Sequence, residues 1–409
     1  MIEWSEQHLM IRDAVRRFVE AEIAPKLEDL EHGGLPPYDI LRKLIKTFGI
    51  DEVARTRFEK QIALEKAGEQ PAKKDEASDG SARADAAAMQ LIPIIEICRF
   101  SPGMVTAMGV SMGLTAAAIM SKGTTRQKER WGLDLLTLEK VGAWAITEPG
   151  SGSDAFGSMK ATARRDGNGG YVLNGNKTFI TNGPYADTIV FICKLEEEGV
   201  DPRDRVPVTF VLDRGMPGLV QSRPMRKMGL HSSPTGELFL KDVAAPAERL
   251  LGESEAKQSR QGAKQTFSQE RSGVAAMALG IIERCLELSL SYARERVQFG
   301  RPIGEFQLIQ DKLARMEVAR LNVQNLVFRN LGLIAAGKSL SFAEASAMKL
   351  YSARAAVEVA LEAVQVYGGN GYMSEYKVEQ LCRDAKVLQI YAGTDEIQIS
   401  AIARDLLAR

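Results

Sequence analysis

Helical periodicity dominates the first 140 residues of the chain. Apolar residues recur at spacings of four and three, for instance at Ile11, Val15 and Phe18, which places them on one face of a helix. The run 103–120 is weakly apolar, carries Gly, Ser and Thr throughout and hardly reaches the length of a membrane span, so it predicts a buried helix. We therefore expect an N-terminal helical domain over residues 1–140.

The segment 67–88 interrupts this pattern. It holds no aliphatic side chain larger than alanine, and Lys, Asp, Glu, Ser and Gly fill most of the rest. Such a stretch cannot bury enough apolar surface to offset the entropy that ordering it costs. We expect an exposed, mobile loop or a loose surface helix here.

The period changes to two between residues 141 and 252. Val206, Val208, Phe210 and Leu212 alternate with other residues, which is typical of a strand. Turn signals recur at 166–170 and at the Asn-Gly pairs 174–175 and 182–183. The pattern predicts a small antiparallel β domain, a barrel or a sandwich, over residues 141–252.

Helical periodicity returns after a polar linker, residues 253–264. One apolar stripe comprises Val274, Met277, Ile281, Cys285 and Leu288, and a second comprises Leu350, Val357, Leu361 and Val364. They predict a C-terminal four-helix bundle over residues 262–409. The fold class is therefore an α+β multi-domain protein, all-helical, then all-β, then all-helical.

Composition excludes several classes of function. The 409 residues are 45% hydrophobic, and 53 basic residues balance 53 acidic ones, so no net charge draws the chain toward nucleic acid or an anionic membrane. Three histidines lie far apart, which argues against a metal site. The start of the chain lacks the pattern of a signal peptide. Four widely spaced cysteines indicate reduced thiols and a cytoplasmic location: Cys98, Cys193, Cys285 and Cys382.

Residues 145–154, Ala-Ile-Thr-Glu-Pro-Gly-Ser-Gly-Ser-Asp, have the chemistry of a ligand-binding loop. Gly150 and Gly152 let the backbone approach a ligand closely, while Thr147, Ser151 and Ser153 offer hydroxyl groups to a polar ring edge or a pyrophosphate. For such a run in isolation, a plain Pro-Gly turn in a β domain is the alternative.

Three motifs together carry a resemblance to a known family. Residues 145–154 look like the first signature of the acyl-CoA dehydrogenases, residues 365–386 resemble the second, and residues 390–398, Ile-Tyr-Ala-Gly-Thr-Asp-Glu-Ile-Gln, resemble their "YEGT" segment. The resemblance covers nearly the whole chain and weakens at 50–100. It implies a flavoenzyme in which FAD lies between the β domain and the bundle. Gln380 departs from the family pattern, where a basic residue is usual.

The resemblance implies a set of FAD contacts. Phe179 stands where relatives stack an aromatic ring, usually Trp, on the flavin, and Thr181 where they hydrogen-bond its reactive nitrogen. The runs 296–300 and 365–371 would reach FAD from a neighbouring subunit. The full set is Trp144, Ile146, Thr147, Ser153, Phe179, Thr181, Arg296, Gln298, Phe299, Gln365, Gly369, Thr394 and Glu396.

The position of the catalytic base is the main departure from the family pattern. Most members carry a glutamate after the tyrosine of the "YEGT" segment, and here that residue is Ala392. In a minority, typified by the isovaleryl and long-chain enzymes, the base precedes an arginine on an earlier helix, where Glu270 and Arg271 stand. The resemblance implies Glu270 as base and the backbone N–H of Ala392 as a donor to the thioester carbonyl. Alternatively, Glu270 and Arg271 are a charged pair that opens a helix.

Substrate contacts are expected from Ser153, Arg271, Tyr391 and two glycines. Gly109 and Gly113 lie four residues apart, so they would share one face of a helix and leave room for an acyl chain. Close helix packing is an equally good explanation of that spacing. We expect a longer or bulkier acyl chain, because Tyr391 fits the long-chain pattern better than the isovaleryl one.

The expected reaction is α,β-dehydrogenation of an acyl-CoA to the trans-2-enoyl-CoA. Expected partners are an electron-transfer flavoprotein and further copies of the chain, in a dimer of dimers, with neither nucleic acid nor membrane. An acyl-CoA oxidase, a flavin monooxygenase of the same fold, an inactive flavin-binding subunit and a nucleic-acid-binding relative remain alternatives.

Overall fold

The computed structural model describes residues 3–69, 80–255 and 260–408, with side chains of the last range from residue 270 onward. Within these ranges, helices precede a sheet and helices follow it. This confirms the three-part order that the hydrophobic pattern predicts.

The N-terminal helices pack their apolar faces into a core that continues into the C-terminal helices. In α1, Val15 and Phe18 are buried and Ile11 packs against them, as the spacing predicts. The helices before the sheet are α1 (Glu6–Phe18), α2 (Leu27–Glu31), α3 (Tyr38–Thr47), α4 (Ile50–Lys66), α5 (Gly80–Cys98), α6 (Pro102–Met108), α7 (Ala117–Lys122) and α8 (Thr125–Leu136).

Of the two alternatives for residues 67–88, a loop or a loose surface helix, the helix is confirmed for residues 80–88, which begin α5, but this helix is packed and not loose. Ala84 and Ala88 are 2% and 0% exposed. Small residues allow this helix to pack closely. At Gly80, for example, a Cβ would lie only 2.4 Å from the carbonyl oxygen of Ala335. Alanine serves here as a contact surface between helices. Residues 70–79 lie outside the described residues.

A π-helix, Gly109–Ala116, joins α6 to α7. The continuous run Pro102–Lys122 has the length and mean hydropathy, 1.6, of a membrane-spanning helix, but 56% of it is buried in the fold. Core helices of folded proteins meet the same criteria. The interpretation of this run as a buried helix is confirmed.

The sheet is mixed, so the prediction of a purely antiparallel domain is wrong. β1 and β2 both run parallel to β4, and the remaining pairs are antiparallel. After β1 the chain leaves the sheet through a long loop, and β2 then pairs with the same neighbour as β1, namely β4. Both strands run parallel to β4. The strands are β1 (Gly142–Ala145), β2 (Thr162–Arg165), β3 (Tyr171–Thr181), β4 (Thr188–Leu195), β5 (Pro207–Asp213), β6 (Leu219–Gln221) and β7 (Thr235–Ala245).

Strand β5 is buried on both faces, although its sequence alternates. Phe210 and Leu212 join the core of the sheet, whereas Val211 packs against Trp131 and Ile119 of the N-terminal helices. The second face of the sheet is therefore an interface with those helices.

The C-terminal helices surround α9, which contacts α10 and α11 along much of its length. The first predicted stripe is confirmed, because Val274, Met277, Ile281 and Cys285 are buried. The linker predicted at 253–264 ends earlier, since α9 begins at Arg260, and residues 256–259 lie outside the described residues. The helices are α9 (Arg260–Glu295), α10 (Gln307–Ala335), α11 (Phe342–Tyr367), α12 (Val378–Lys386) and α13 (Asp395–Leu407), and a short hairpin, β8 (Val297–Gln298) and β9 (Arg301–Pro302), follows α9.

The second predicted stripe is confirmed only in part, because Val357 and Val364 pack partly buried against the core while α11 buries mainly another face. Leu361 is 54% exposed, whereas Ala356, Ala360 and Ala363 are fully buried. Small side chains bring α11 close to its neighbours, and this packing decides the buried face in place of the larger aliphatic residues.

Asn182 ties three parts of the fold together. Its Nδ2 donates to the carbonyl oxygens of Ala107 and Gly142, each at 2.9 Å, and its Oδ1 accepts from Tyr38 Oη at 3.0 Å. The residue is fully buried, at the end of β3. These bonds fix β3 relative to the N-terminal helices.

A buried ion pair fixes the start of the loop after β1. Lys177 is 0% exposed and donates from Nζ to Glu148 Oε1 at 2.8 Å and to the Ile146 carbonyl oxygen at 3.0 Å. The Glu148 carboxylate also accepts from the backbone N–H groups of Lys160 and Ala161. Both ends of the loop 146–161 are therefore held by one carboxylate.

Replacing Lys177 with Met is expected to destabilise the protein, because it leaves the buried Glu148 carboxylate without its counter-ion. Breaking one partner of a buried pair costs about 3–5 kcal/mol. Urea unfolding of Lys177→Met, Glu148→Gln and the double variant measures this cost, and the double variant should lose less than the sum of the single losses. A Lys177→Met midpoint equal to that of the wild type would contradict this account.

Candidate active site

Phe179 occupies an irregular position at the exposed edge of β3. The pairing of β3 with β7 shifts between Lys177 and Ile180, and Phe179 there has a φ of +56° and is 66% exposed. A positive φ is uncommon for a bulky side chain and is maintained only where surrounding contacts determine it. One such contact is the bond from Thr178 N–H to the Thr147 carbonyl oxygen, at 2.9 Å. Backbone geometry thus presents the ring outward beside the loop after β1.

The loop 147–154 forms a rim around this ring. Glu148 and Ser151 exchange backbone hydrogen bonds of 3.1 and 3.0 Å, which make a tight turn. A Cβ placed at Gly150 or Gly152 would meet nothing within 4 Å, and Ser153 is exposed. Trp144, Ile146, Thr147 and Thr181 are partly buried around the same edge of the sheet. The rim is open to a ligand.

The loop between α12 and α13 carries Ala392 in a strained conformation. Its φ is +53°, a value that L-residues rarely adopt. Gln398 Nε2 donates to the carbonyl oxygens of Ala392, at 3.0 Å, and Gly393, at 2.8 Å. Lys349 Nζ donates to the same Gly393 oxygen at 2.8 Å. Among the described residues, no acceptor takes the N–H of Ala392, so this donor is available to a ligand.

Glu270 lies on α9 ten residues after the first residue of the helix, Arg260. The interpretation of Glu270 and Arg271 as a pair that opens a helix is therefore wrong, because the helix dipole acts within the first turn. Burial raises the pKa of Glu270 to about 7, and the positive charges of Arg271 and Lys349 act in the opposite direction. Such a carboxyl exchanges a proton near neutral pH.

Arg271 connects α9 to both α11 and the Ala392 loop. The side chain is 4% exposed, donates from Nη1 to Ser346 Oγ at 2.7 Å and stacks on Phe342 with its Cζ 4.0 Å from the ring centroid. A Cβ at Gly393 would lie 3.7 Å from Arg271 Nη2. The structure thus brings Glu270, Arg271 and the loop 391–394 into one cluster.

Tyr391 lies next to this cluster and contacts Met277 of α9. Its Oη donates to Met277 Sδ at 3.2 Å, and burial raises its pKa far above the ordinary value. Its hydroxyl therefore stays protonated at neutral pH.

Gly109 and Gly113 both open onto free space. Each is exposed, and a Cβ at either position would meet nothing within 4 Å. Within the described residues, close packing of another element therefore does not explain them. Gly273 on α9 is open in the same way, three residues after Glu270 and on the same helix face. The sequence analysis missed Gly273, since one glycine within a helical pattern carries no distinct signal.

A second group of predicted residues lies apart from this cluster. Phe299 is 93% exposed at the tip of the hairpin after α9, with Arg296 and Gln298 beside it, and Gln365 and Gly369 are exposed at the end of α11. No hydrogen bond or ion pair joins them to Glu270 or Phe179 in the parts of the chain that the structure describes. In the single chain these residues are exposed to solvent.

The N-terminus of α13 adjoins the Ala392 loop. Thr394 caps this helix by accepting from the Ile397 N–H at 3.4 Å, and Glu396 is exposed in its first turn. A helix N-terminus favours negative charge, and hydrogen bonds from its own backbone N–H and from Thr394 lower the pKa of Glu396.

Two residues of the cluster were missed by the sequence analysis. Lys349 is the only lysine of α11, between apolar residues, and Gln398 is the last residue of the "YEGT"-like segment, where it was given no role. The signal for Lys349 was available, because a lone lysine in an apolar helical stretch is rarely buried without a role.

Known proteins match the chain over most of its length. The sequence models of the acyl-CoA dehydrogenase N-terminal, middle and C-terminal domains match residues 5–54, 143–243 and 261–407. An acyl-CoA dehydrogenase of Bacillus subtilis (strain 168) is 37% identical over 409 residues, covering 98% of each chain. A 3-(aryl)acrylate reductase of Clostridium sporogenes (strain ATCC 15579) is 35% identical over 406 residues, covering 99% of each.

The fold also matches a solved structure of the same kind. The crystal structure of an acyl-CoA dehydrogenase from Geobacillus kaustophilus is similar with a TM-score of 0.84 and 33% identity, and the match covers 98% of each chain. The match extends over the helices, the sheet and the bundle alike. The chain therefore belongs to the acyl-CoA dehydrogenase family.

Proposed function

We propose that the chain dehydrogenates an acyl-CoA thioester to the trans-2-enoyl-CoA, with Glu270 as the base that removes the α proton. The observation that carries the proposal is the cluster of a desolvated carboxyl, a free backbone donor at Ala392 and a buried Arg271. Proton abstraction beside a carbonyl needs a base and a donor of this kind.

The residues around the β-sheet edge fit FAD, the cofactor of this family. Phe179 offers a free aromatic face, Gly150 and Gly152 leave room for close approach, and the Thr394 end of α13 favours an anionic pyrophosphate. The full proposed set is the one that the family resemblance implies. FAD bound there supplies the acceptor for the hydride from the β carbon.

The protein residues divide the remaining work. The Ala392 N–H donates to the thioester carbonyl oxygen, which withdraws electron density and acidifies the α proton. The Glu270 carboxylate accepts that proton. Arg271 keeps the carboxylate from being fully neutralised, because its positive charge lowers the pKa that burial raises. Ser153 and Tyr391 line the approach of the substrate.

The same groups can act in reverse. A protonated Glu270 returns a proton to the α carbon of an enoyl thioester, and a pKa of about 7 leaves both forms populated near neutral pH. The 35% identity to a 3-(aryl)acrylate reductase makes reduction of an enoyl substrate the second candidate function. Assays in both directions with one acyl/enoyl pair distinguish the two.

We propose that the enzyme works as a cytoplasmic homo-oligomer, a dimer of dimers, and passes electrons to an electron-transfer flavoprotein. The exposure of Arg296, Phe299 and Gln365 supports the oligomer, since the family resemblance assigns these residues to the FAD of a neighbouring subunit. Three of the four cysteines are buried and all four are free, which suits a reducing compartment. Peroxide formation with oxygen as the efficient acceptor would identify an oxidase.

Replacing Glu270 with Gln is expected to lower kcat about 100- to 10,000-fold, the usual contribution of a general base. FAD content and thermal stability should stay unchanged. Glu317→Gln on the exposed side of α10 is the matched control. A second arm places the carboxyl at the position usual in the family: Glu270→Gln/Ala392→Glu should regain part of the activity. Nearly full turnover by FAD-bound Glu270→Gln would refute the assignment.

The rate of flavin bleaching under anaerobic conditions is expected to rise with pH through about 7, because the base acts only when deprotonated and burial raises its pKa to that value. Stopped-flow absorbance with saturating acyl-CoA measures this profile. In Glu270→Gln the residual rate should not follow it. An acidic limb near about 4.3, the pKa of a solvated glutamate, would contradict a desolvated base.

Longer or bulkier acyl chains are expected to be the better substrates, since the space beside Gly109 and Gly113 is open. A panel of acyl-CoAs of increasing length tests this through kcat/KM. Gly113→Val, which fills part of that space, should reduce kcat/KM for the longest chains more than for the shortest. Turnover of short branched acyl-CoAs alone would overturn the preference.

A further inference from the structure

Lys349 is an unusual residue in the core of the bundle. Its side chain is 0% exposed, and no carboxylate lies within 4.0 Å of its amine in the described residues. Its Nζ donates a hydrogen bond to the Gly393 carbonyl oxygen at 2.8 Å. Burying an ammonium without a direct counter-ion is costly, so the contact it makes needs an explanation.

The neighbourhood of this amine consists of the proposed catalytic groups. Glu270 and Arg271 on α9 and Asp395 and Glu396 on α13 are the charges that act on Lys349. Asp395 is paired with Arg354 at 2.9 Å. Burial lowers the pKa of Lys349 to about 8, which still leaves the amine mostly protonated at neutral pH. A positive charge therefore lies in contact with the loop 391–394, at the Gly393 carbonyl oxygen.

Gln398 acts on the same loop from α13. It is fully buried, and its amide bridges the carbonyl oxygens of Ala392 and Gly393. The φ and ψ angles of Ala392 together set the direction of its N–H relative to its carbonyl. Holding both carbonyls, at a φ of +53°, therefore restricts the directions that the N–H can take.

We propose that Lys349 and Gln398 are positioning residues: they hold the Ala392–Gly393 carbonyls so that the Ala392 N–H points at the thioester oxygen. The positive charge of Lys349 also lowers the pKa of Glu270. The proposal rests on the proposed function and assigns roles to two residues outside its catalytic set. Misplacement of a catalytic donor by about 1 Å can cost about 100-fold in rate, so such residues matter although they do not touch substrate.

The test compares FAD-bound Lys349→Met, Gln398→Met and the wild type in two measurements. The first is the infrared stretch of a ¹³C-labelled thioester carbonyl in a bound acyl-CoA whose β carbon carries no hydrogen. Binding should shift this stretch to lower wavenumber in the wild type, and each variant should lose most of that shift. Turnover should fall about 10- to 100-fold in kcat with a smaller change in KM.

The second measurement is the pH profile of flavin bleaching, which separates charge from position. Lys349→Met removes a positive charge near Glu270, so the acidic limb should move to higher pH. Gln398→Met removes hydrogen bonds but no charge, so its limb should stay in place. Because Gln398→Met gives its own infrared result, the proposal remains testable if Lys349→Met does not fold.

Lys312→Met is the matched control. Lys312 on α10 pairs with Glu362, which lies on the same helix as Lys349, α11, about 20 Å further along it. The variant should behave as the wild type in both measurements. Glu270→Gln should keep the carbonyl shift, so failure of the base assignment is distinguishable from failure of this proposal. A wild-type carbonyl shift in both Lys349→Met and Gln398→Met would overturn it.

Discussion

Desolvation of one carboxyl group, that of Glu270, is the constraint on which the proposed chemistry of this protein depends. Burial alone would neutralise the group, and the charges of Arg271 and Lys349 restrain that effect, so its pKa stays at about 7. A carboxyl in this state can take a proton from a weakly acidic carbon and release it again near neutral pH. The backbone at residue 392 then needs no carboxylate of its own, and it retains the N–H that a thioester oxygen requires.

The scaffold fixes the two sides of this site by different means. On the sheet side, buried polar contacts do so: Lys177 and Glu148 hold the loop after β1, and Asn182 ties β3 to the N-terminal helices. On the bundle side, alanine-rich faces bring helices close enough for α9, α11 and the Ala392 loop to meet. Phe179 on the sheet side and Ala392 on the bundle side both have a positive φ.

The hydrophobic pattern predicted the order of the parts, because periodicity is local in the chain, and the motifs singled out Glu270 as the proposed base. It failed where tertiary packing decides. In α11, a face of small residues is buried and the face that carries Leu361 is exposed. Residues 80–88 belong to a packed helix because alanine permits close approach. The parallel pairs of β4 and the buried second face of β5 depend on contacts with distant segments. Lys349 was overlooked because its partner is a carbonyl oxygen 44 residues away.

Exchange of the α proton tests the central claim most directly. A CoA thioester with a fully substituted β carbon can lose an α proton but no hydride, so its incubation with the FAD-bound enzyme in D₂O isolates the base. The account predicts deuterium at the α carbon with the wild type and nearly none with Glu270→Gln, by NMR or mass spectrometry. Equal exchange by the two proteins would show that another group removes the proton.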